Sequence, residues 1–286
     1  MRCLCAIAVA AIVVAFCGGA EAAKPTVPSF KHVVVVVMEN KGKADVLGNA
    51  DAPYFHSLAT RYAVLSHYGG VAHPSLPNYL ALISGSTHGI SSDCTGCVVA
   101  ARNLADTFGR AHRTWKAYAE KLPRAGWTGV QAGLYVKRHV PFLYFRDVLR
   151  SPSRRRHVVP MRRLSTDLAA GRLPDFSLVV PDLCHDMHDC SVAEGDAWLA
   201  RFLPPLLRSP RLARSVIFVV FDEPRASQPG TDLVPAVALG RMVKPGSEYS
   251  RRTSHYGLLR TVEDAWGLPR LGQSKTAAPI TGIWKG

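Results

Sequence analysis

Two apolar runs in this chain each end abruptly in a polar pair that includes carboxylates. HVVVVVM (32–38) runs into Glu39-Asn40, and VIFVVF (216–221) runs into Asp222-Glu223. Carboxylates gathered at one place repel one another unless a cation lies among them. Oxygen-rich ligation of that kind suits Mg, Ca or Mn, and zinc as well if histidines join. A third element is His73-Pro74-Ser75-Leu76-Pro77-Asn78-Tyr79. Prolines on both sides fix the backbone around Ser75, and a helix starting there would turn amide donors and the macrodipole toward an anion. Beside a cation, the Ser75 hydroxyl can ionise and attack phosphorus, with Asn78 as a donor to a phosphoryl oxygen. The fourth element, Cys184-His185-Asp186-Met187-His188-Asp189-Cys190, packs four ionisable side chains between two cysteines. That density suits metal ligation or acid/base work. His139 and His255 stand apart, and taken alone each reads as a structural histidine.

For these groups to meet, the strands that carry them must end at one edge of a sheet. The β-branched runs 32–38, 176–180 and 216–221 have the length and composition of central parallel strands buried on both faces. A short strand is predicted over 63–66, and 234–239 makes a fourth candidate for the core. Helices are predicted over 52–62, from Pro77 to Ile83, over 191–207 and over 254–266, the last stopped by Gly267 and Pro269. This alternation predicts an α/β fold, a three-layer α/β/α arrangement with a mostly parallel central sheet. In such sheets ligands bind beyond the carboxyl ends of the strands, where the polar pairs fall.

Met1-Arg2, the apolar run from Cys3 to Cys17 and the small-x-small Ala20-Glu21-Ala22 read as a cleaved signal peptide over 1–22. The run is too short to span a membrane. An uncleaved anchor and a lipoprotein at Cys17 are the other readings, the latter disfavoured by Phe16. With no repeat or low-complexity linker, 23–286 is expected to form one domain in a secreted, periplasmic or envelope protein. Export places Cys94, Cys97, Cys184 and Cys190 in an oxidising compartment, where disulfides are expected. Of three connectivities, local pairing of Cys94 with Cys97 and Cys184 with Cys190 is the first choice. A four-cysteine zinc site is the alternative, and the second pair's spacing is wide for one. The formal net charge of +14 attracts anions, whether phosphorylated substrates, anionic lipid or nucleic acid, without choosing among them. The densest basic run, 150–163, has no interleaved aromatics and reads as a solvated loop and helix start.

Five blocks occur in an order that carries a resemblance: HVVVVVMEN with DVLG, HPSLPNYLALISGSTHGI, CHDMHDCSVAEGDAWL, FDE, and SHYGLLRTVEDAWGLPRLG. Together they resemble the bacterial phosphoesterase family of acid phosphatases and phosphatidylcholine-type phospholipases C. Within it the chain looks like the short secreted mycobacterial acid phosphatases that act on phosphatidylinositol 3-phosphate. The likeness runs from about His32 to Trp284. It implies an alkaline-phosphatase-like fold and a divalent metal cofactor, one ion or two. It implies Ser75 as nucleophile, Asn78 on the phosphoryl group, and metal ligands at Glu39, Asn40, Ser75, Asp222 and Glu223. It places Asp186 and His188 toward the substrate or a second metal and His139 and His255 near the site, so that His139 is expected to be catalytic and Asp186 and His255 to join the metal ligands. His188 or a neighbouring histidine is then expected to protonate the leaving alcohol. The sequence departs from relatives at Lys41-Gly42-Lys43, at Phe221, where tryptophan is common, and at Glu223, where some carry aspartate.

The expected substrate is a phosphate monoester, including a phosphoinositide or another anionic lipid met by peripheral membrane contact; nucleic acid is not expected. Phospholipase C action on a diester is the nearest rival. A non-enzymatic basic module for anionic lipid explains the charge but leaves the carboxylates without a purpose. A conventional serine hydrolase is weakly represented by Gly85-Ser86-Thr87-His88-Gly89, whose centre is threonine.

Overall fold

The computed structural model describes residues 26–225 and 232–285. The signal-peptide segment lies outside them. Eight strands form the main sheet: β1 (Val33–Met38), β2 (Ala63–Leu65), β3 (Trp115–Ala119), β4 (Val158–Pro160), β5 (Phe176–Val180), β6 (Val216–Phe221), β7 (Ala236–Leu239) and β8 (Ser247–Tyr249). Their spatial order is β8-β2-β7-β6-β1-β5-β3-β4. The β-branched runs take the centre because they tolerate burial on both faces: every residue of β1, β5 and β6 is buried. Pairing is parallel among β6, β1, β5, β3 and β4, while β7 runs antiparallel to both β6 and β2. The sheet is therefore mostly parallel, with the 234–239 candidate reversed in direction.

Strand β3 escaped the sequence reading because Lys116 interrupts its apolar pattern. Its ammonium reaches Asp167 at 2.5 Å, and the Tyr118 hydroxyl donates to the same carboxylate at 2.9 Å. A polar residue is thus accommodated on a buried strand by a partner on the covering helix.

The principal helices are α1 (Pro53–Arg61), α2 (Ser75–Ser84), α3 (Leu104–Arg110), α4 (Arg163–Ala169), α5 (Val192–Arg208) and α6 (His255–Trp266). Successive strand residues point to opposite faces. Phe221 meets Phe55 of α1 edge-on at 6.0 Å, whereas Phe176, on the other face, meets Phe108 of α3 at 5.4 Å. Helices therefore cover both faces. On the first, the Asp196 carboxylate of α5 accepts the amides of Tyr54 and Phe55 at 2.9 and 2.7 Å. This supplies the first turn of α1 with a cap that its own Ala52 cannot provide.

Both local disulfides form, Cys94–Cys97 with Cα atoms 5.8 Å apart and Cys184–Cys190 with 4.6 Å. The cysteines thus pair with each other, which rules out the shared zinc site. Among the described residues no helix is long and apolar enough to cross a membrane.

Helix α6 carries a buried acid, Glu263, that locks the following turn. Its Oε1 accepts the Leu271 amide at 2.8 Å and its Oε2 meets the Ser274 hydroxyl at 2.5 Å. The Gln273 amide of that turn donates to Gly85 at the end of α2, so the lock steadies the helix that begins at Ser75. Burial pushes the Glu263 carboxyl up from 4.5 to about 7. Between those values the folded chain binds more protons than the unfolded chain, so this contribution is complete below 4.5 and is lost as pH rises through 7. Wild-type stability is expected to fall from this source by on the order of 3 kcal/mol between about pH 5 and pH 8. Glu263→Gln, which keeps a hydrogen-bonding amide, removes that slope. Thermal unfolding of both proteins across the range checks it, and parallel curves would contradict the assignment.

Candidate active site

The register of the central strands builds the site. Met38 lies opposite Phe221 in the parallel β1–β6 pair, so the next residues, Glu39 and Asp222, emerge side by side. Asn40, in the left-handed region at φ 51°, donates its amide to Asp222 Oδ1 at 3.0 Å and ties the two strand ends together. Glu39, Asp222 and Glu223 are all buried, each offering an oxygen within 4.8 Å of the others.

Helix α2 begins at Ser75 itself, two residues before the expected start; proline is tolerated in a first turn, so Pro77 lies inside. The Ser75 hydroxyl lies 3.0 Å from Glu39 Oε2 and 3.1 Å from Glu223 Oε1. One O–H has one proton to give. If both carboxylates were ionised, one contact would be repulsive; it is relieved when Glu223 carries a proton or when a cation sits among the oxygens. The first-turn amide of Leu76 is already taken by Asp93 Oδ1 at 2.9 Å, so it is not free for an anion.

The loop that delivers Ser75 lies against the end of β6. A Cβ on Gly70 would approach the Asp222 carbonyl at 2.9 Å, a close approach that glycine alone permits. Asn78 pins this loop instead of facing a substrate. Its Oδ1 accepts the amides of Val71 and Ala72 at 2.8 and 3.1 Å, and its Nδ2 donates to the carbonyls of Ala72 and Pro74. With no exposed surface and all of its hydrogen-bonding capacity used on backbone, Asn78 is a positioning residue, which corrects the expected phosphoryl contact. His255 is corrected in the same way. Its Nε2 faces the Asp222 carbonyl at 2.7 Å and its Nδ1 the Tyr68 hydroxyl at 2.9 Å, which leaves neither nitrogen for a metal. Burial pushes it down to about 4, so it is neutral and braces the strand end.

His139 sits deep behind Glu39, stacked on Tyr79 with ring centres 5.0 Å apart. Its Nε2 is 2.9 Å from Glu39 Oε1 and its Nδ1 is 3.3 Å from Asp186 Oδ2. Burial opposes its charge, but Glu39 and Asp186 outweigh that and push it up to about 9. The reciprocal effect holds Glu39 at about 2: burial works against the anion and the His139 charge overcomes it. Asp222 has no such partner. Burial, then the charges of Glu39 and Glu223, push it well above the usual range, and burial with Glu39 pushes Glu223 up to about 8. Burial likewise raises Asp186.

The Cys184–Cys190 loop closes the site from the other side. Glu39 donates its amide to the Asp186 carbonyl at 2.9 Å, and Asp186 Oδ1 accepts the His188 amide at 2.8 Å. Met187 holds a positive φ of 77° while fully buried, a costly backbone state that the staple and packing maintain. Gly195 of α5 makes room for it: a Cβ there would come within 2.3 Å of the Met187 side chain. His188 faces the cleft with its Nδ1 held by Asp189 at 2.6 Å.

A cleft of about 520 Å³ opens over Ser75, and Asn40, His188 and Glu223 also line it. Its walls include four residues the sequence reading gave no role: Lys41, His73, Asp93 and Arg225. His73 Nδ1 is 2.5 Å from Glu223 Oε2, and the Lys41 ammonium donates to the Met187 carbonyl at 2.5 Å. The only signal for His73 and Arg225 was adjacency, two residues from Ser75 and from Glu223. Nothing in the sequence singled out Asp93.

The donor set fits a hard divalent cation. Three buried carboxylates lie together, two of them on the Ser75 hydroxyl, and Asp222 Oδ2 is buried without any hydrogen-bond partner. Glu39, Asp222, Glu223, Asn40 and Ser75 meet there, whereas Asp186 is engaged by His139 and His188.

The fold is of the alkaline-phosphatase-like α/β class, and here it carries a serine hydroxyl among strand-end carboxylates. The fold of a protein in the alkaline phosphatase superfamily from Vibrio parahaemolyticus is similar, with a TM-score of 0.59, 13% identity, and 88% of this chain and 71% of that one covered. Residues 46–269 match the Phosphoesterase family, and the chain belongs to that family. It is therefore a hydrolase acting on phosphoric esters. It is 38% identical to a phosphatidylinositol-3-phosphatase of Mycobacterium tuberculosis over 92% of this chain and 85% of the relative. It is 27% identical to an acid phosphatase of Aspergillus fumigatus over 89% of this chain but 59% of the relative, so it spans under two thirds of that fungal enzyme.

Occupancy of the carboxylate cluster is expected to stabilise the fold by mass action, by about 2.7 kcal/mol at a cation concentration a hundredfold above its dissociation constant. Thermal unfolding with added Mn or Zn measures it, and Asp222→Asn should abolish most of the gain. An equal shift in the variant would place the ion elsewhere. Asn78→Ala is expected to cost about 2 kcal/mol or more, because it leaves two buried loop amides without an acceptor.

Proposed function

We propose that this chain is a divalent-metal-dependent phosphomonoesterase that works through a phosphoserine at Ser75. The observation that carries the reading is the Ser75 hydroxyl held 3.0 and 3.1 Å from two buried carboxylates at the floor of a cleft. Glu39, Asn40, Asp222, Glu223 and Ser75 would hold the cation. When bound, it supplies the positive charge that favours the ionised hydroxyl and neutralises a phosphate beside it.

In the first step Ser75 Oγ, already ionised by loss of its proton to solvent, forms a bond to phosphorus as the bond to the alcohol oxygen breaks. His188 protonates the departing oxygen; Asp189 on its Nδ1 fixes the ring so that Nε2 carries the transferred proton. In the second step His188 takes a proton from water, whose oxygen attacks phosphorus and releases Ser75 and inorganic phosphate. Lys41 and Arg225 add positive charge to the cleft walls, suited to a doubly charged monoester. His139 keeps Glu39 ionised from behind and does not touch the reacting atoms.

The phosphoinositide reading rests on the activity of the mycobacterial relative and on the basic balance of the chain. The two disulfides support export to an oxidising compartment.

Ser75→Ala should retain its fold and lose phosphate release by roughly a thousandfold or more, as expected when a nucleophile is removed. Near-wild-type turnover on an aryl phosphate would refute the nucleophile. His188→Ala should slow alkyl phosphates far more than aryl phosphates, because a phenolate leaves without a proton while an alkoxide does not. Equal losses on both would remove His188 from the acid role. Release from phosphatidylcholine in preference to monoesters would favour a diesterase.

A further inference from the structure

The same carboxyl edge of the sheet holds a second and larger opening. It is a groove of about 900 Å³ bounded by the ends of β3 and β4 and by helices α4 and α5. Its floor is apolar: Leu122, Leu164, Trp198 and Leu206 are buried there, and Phe202 stacks on Trp198 with ring centres 4.5 Å apart. Trp198, Phe202 and Leu206 recur at helical spacing on α5, so one apolar stripe of that helix runs into the groove. Three cationic side chains, Lys121, Arg162 and Arg201, line the same groove and are exposed. The one acidic group in its wall, Glu120, is engaged by His185 Nδ1 at 2.9 Å.

An apolar trough with cations at its lip complements an alkyl chain that ends in an anionic head. Water gains nothing from so much buried apolar wall, and a small phosphate would leave the floor unfilled. A second copy of this chain carries the same positive balance and would meet the rim with like charge. The groove also communicates with the catalytic cleft through one rigid element. The loop stapled by Cys184–Cys190 contributes His185 to the groove wall and His188 to the cleft wall.

We propose that this groove seats an acyl chain of an anionic phospholipid, with the lipid phosphate on Lys121, Arg162 and Arg201, and so docks the enzyme on a lipid surface apart from its catalytic cleft. The inference rests on the phosphoinositide reading above and deepens it by naming where the enzyme grips the lipid surface.

The test uses vesicles of phosphatidylcholine with and without phosphatidylglycerol, an anionic diester outside the proposed monoesterase activity. Wild-type protein and Ser75→Ala should both bind the anionic vesicles. Arg162→Glu with Arg201→Glu should weaken binding by roughly tenfold or more, from charge reversal at an anionic surface. The same reversal at the exposed Arg241 and Arg251 should cost less. Phosphatidylglycerol brominated on its acyl chains should quench tryptophan emission in wild type, and Trp198→Phe should remove that quenching. Hydrolysis of a soluble aryl phosphate by the rim variants should stay at the wild-type level, which reports the catalytic reading separately. If aryl phosphate is not hydrolysed by wild type, the catalytic reading fails while the binding result stands. Four outcomes would overturn the groove: quenching independent of Trp198, control reversals as damaging as rim reversals, rim variants that bind like wild type, or self-association relieved by the rim variants.

Discussion

Strand pairing brings Glu39, Asp222 and Glu223 around one hydroxyl in a buried pocket, and their mutual repulsion is the constraint to which the surrounding structure responds. Desolvation penalises each anion, and proximity penalises every pair. One response is built into the protein. His139 answers one of the three charges, forming with Glu39 and Asp186 a buried arrangement in which the carboxylate is held low and the imidazole high. Nothing of that kind answers Asp222, whose Oδ2 has no hydrogen-bond partner and whose carboxyl is pushed up by its neighbours. The imbalance leaves the cluster suited to a cation.

Much of the nearby structure serves to keep those groups in register. Asn40 ties one strand end to the other, His255 braces the Asp222 carbonyl, and Asn78 fixes the loop that leads to Ser75. The stapled loop brings Asp186 onto the Glu39 amide and turns His188 toward the cleft. Tyr79, one helical residue beyond Asn78, stacks on His139 and so couples the serine helix to the charge pair behind it. The geometry of the cluster thus depends on hydrogen bonds made by four separate chain segments.

The parts of this arrangement that depend on local pattern were legible in the sequence. Three unbroken β-branched runs could only be central strands, and carboxylates immediately after two of them had to lie at one sheet edge. The paired cysteines and the His/Asp loop between them were equally visible. Direction and partnership were not. The reversal of β7 depends on which neighbour it meets, and β3 was hidden because Lys116 finds Asp167 on a distant helix. Asn78 and His255 look the same in sequence whether they hold a ligand or a backbone; hydrogen-bond geometry alone separates the two roles. Lys41, Asp93 and Arg225 enter the cleft from loops whose paths no periodicity encodes.

The central claim is that the three carboxylates and Ser75 enclose a divalent cation. Anomalous diffraction from crystals soaked in Mn tests it most directly. The account predicts a strong peak in contact with oxygens of Glu39, Asp222 and Glu223 and adjacent to Ser75 Oγ, absent from Asp222→Asn crystals. A protein whose phosphatase activity needs Mn but whose peak lies away from these oxygens would contradict it.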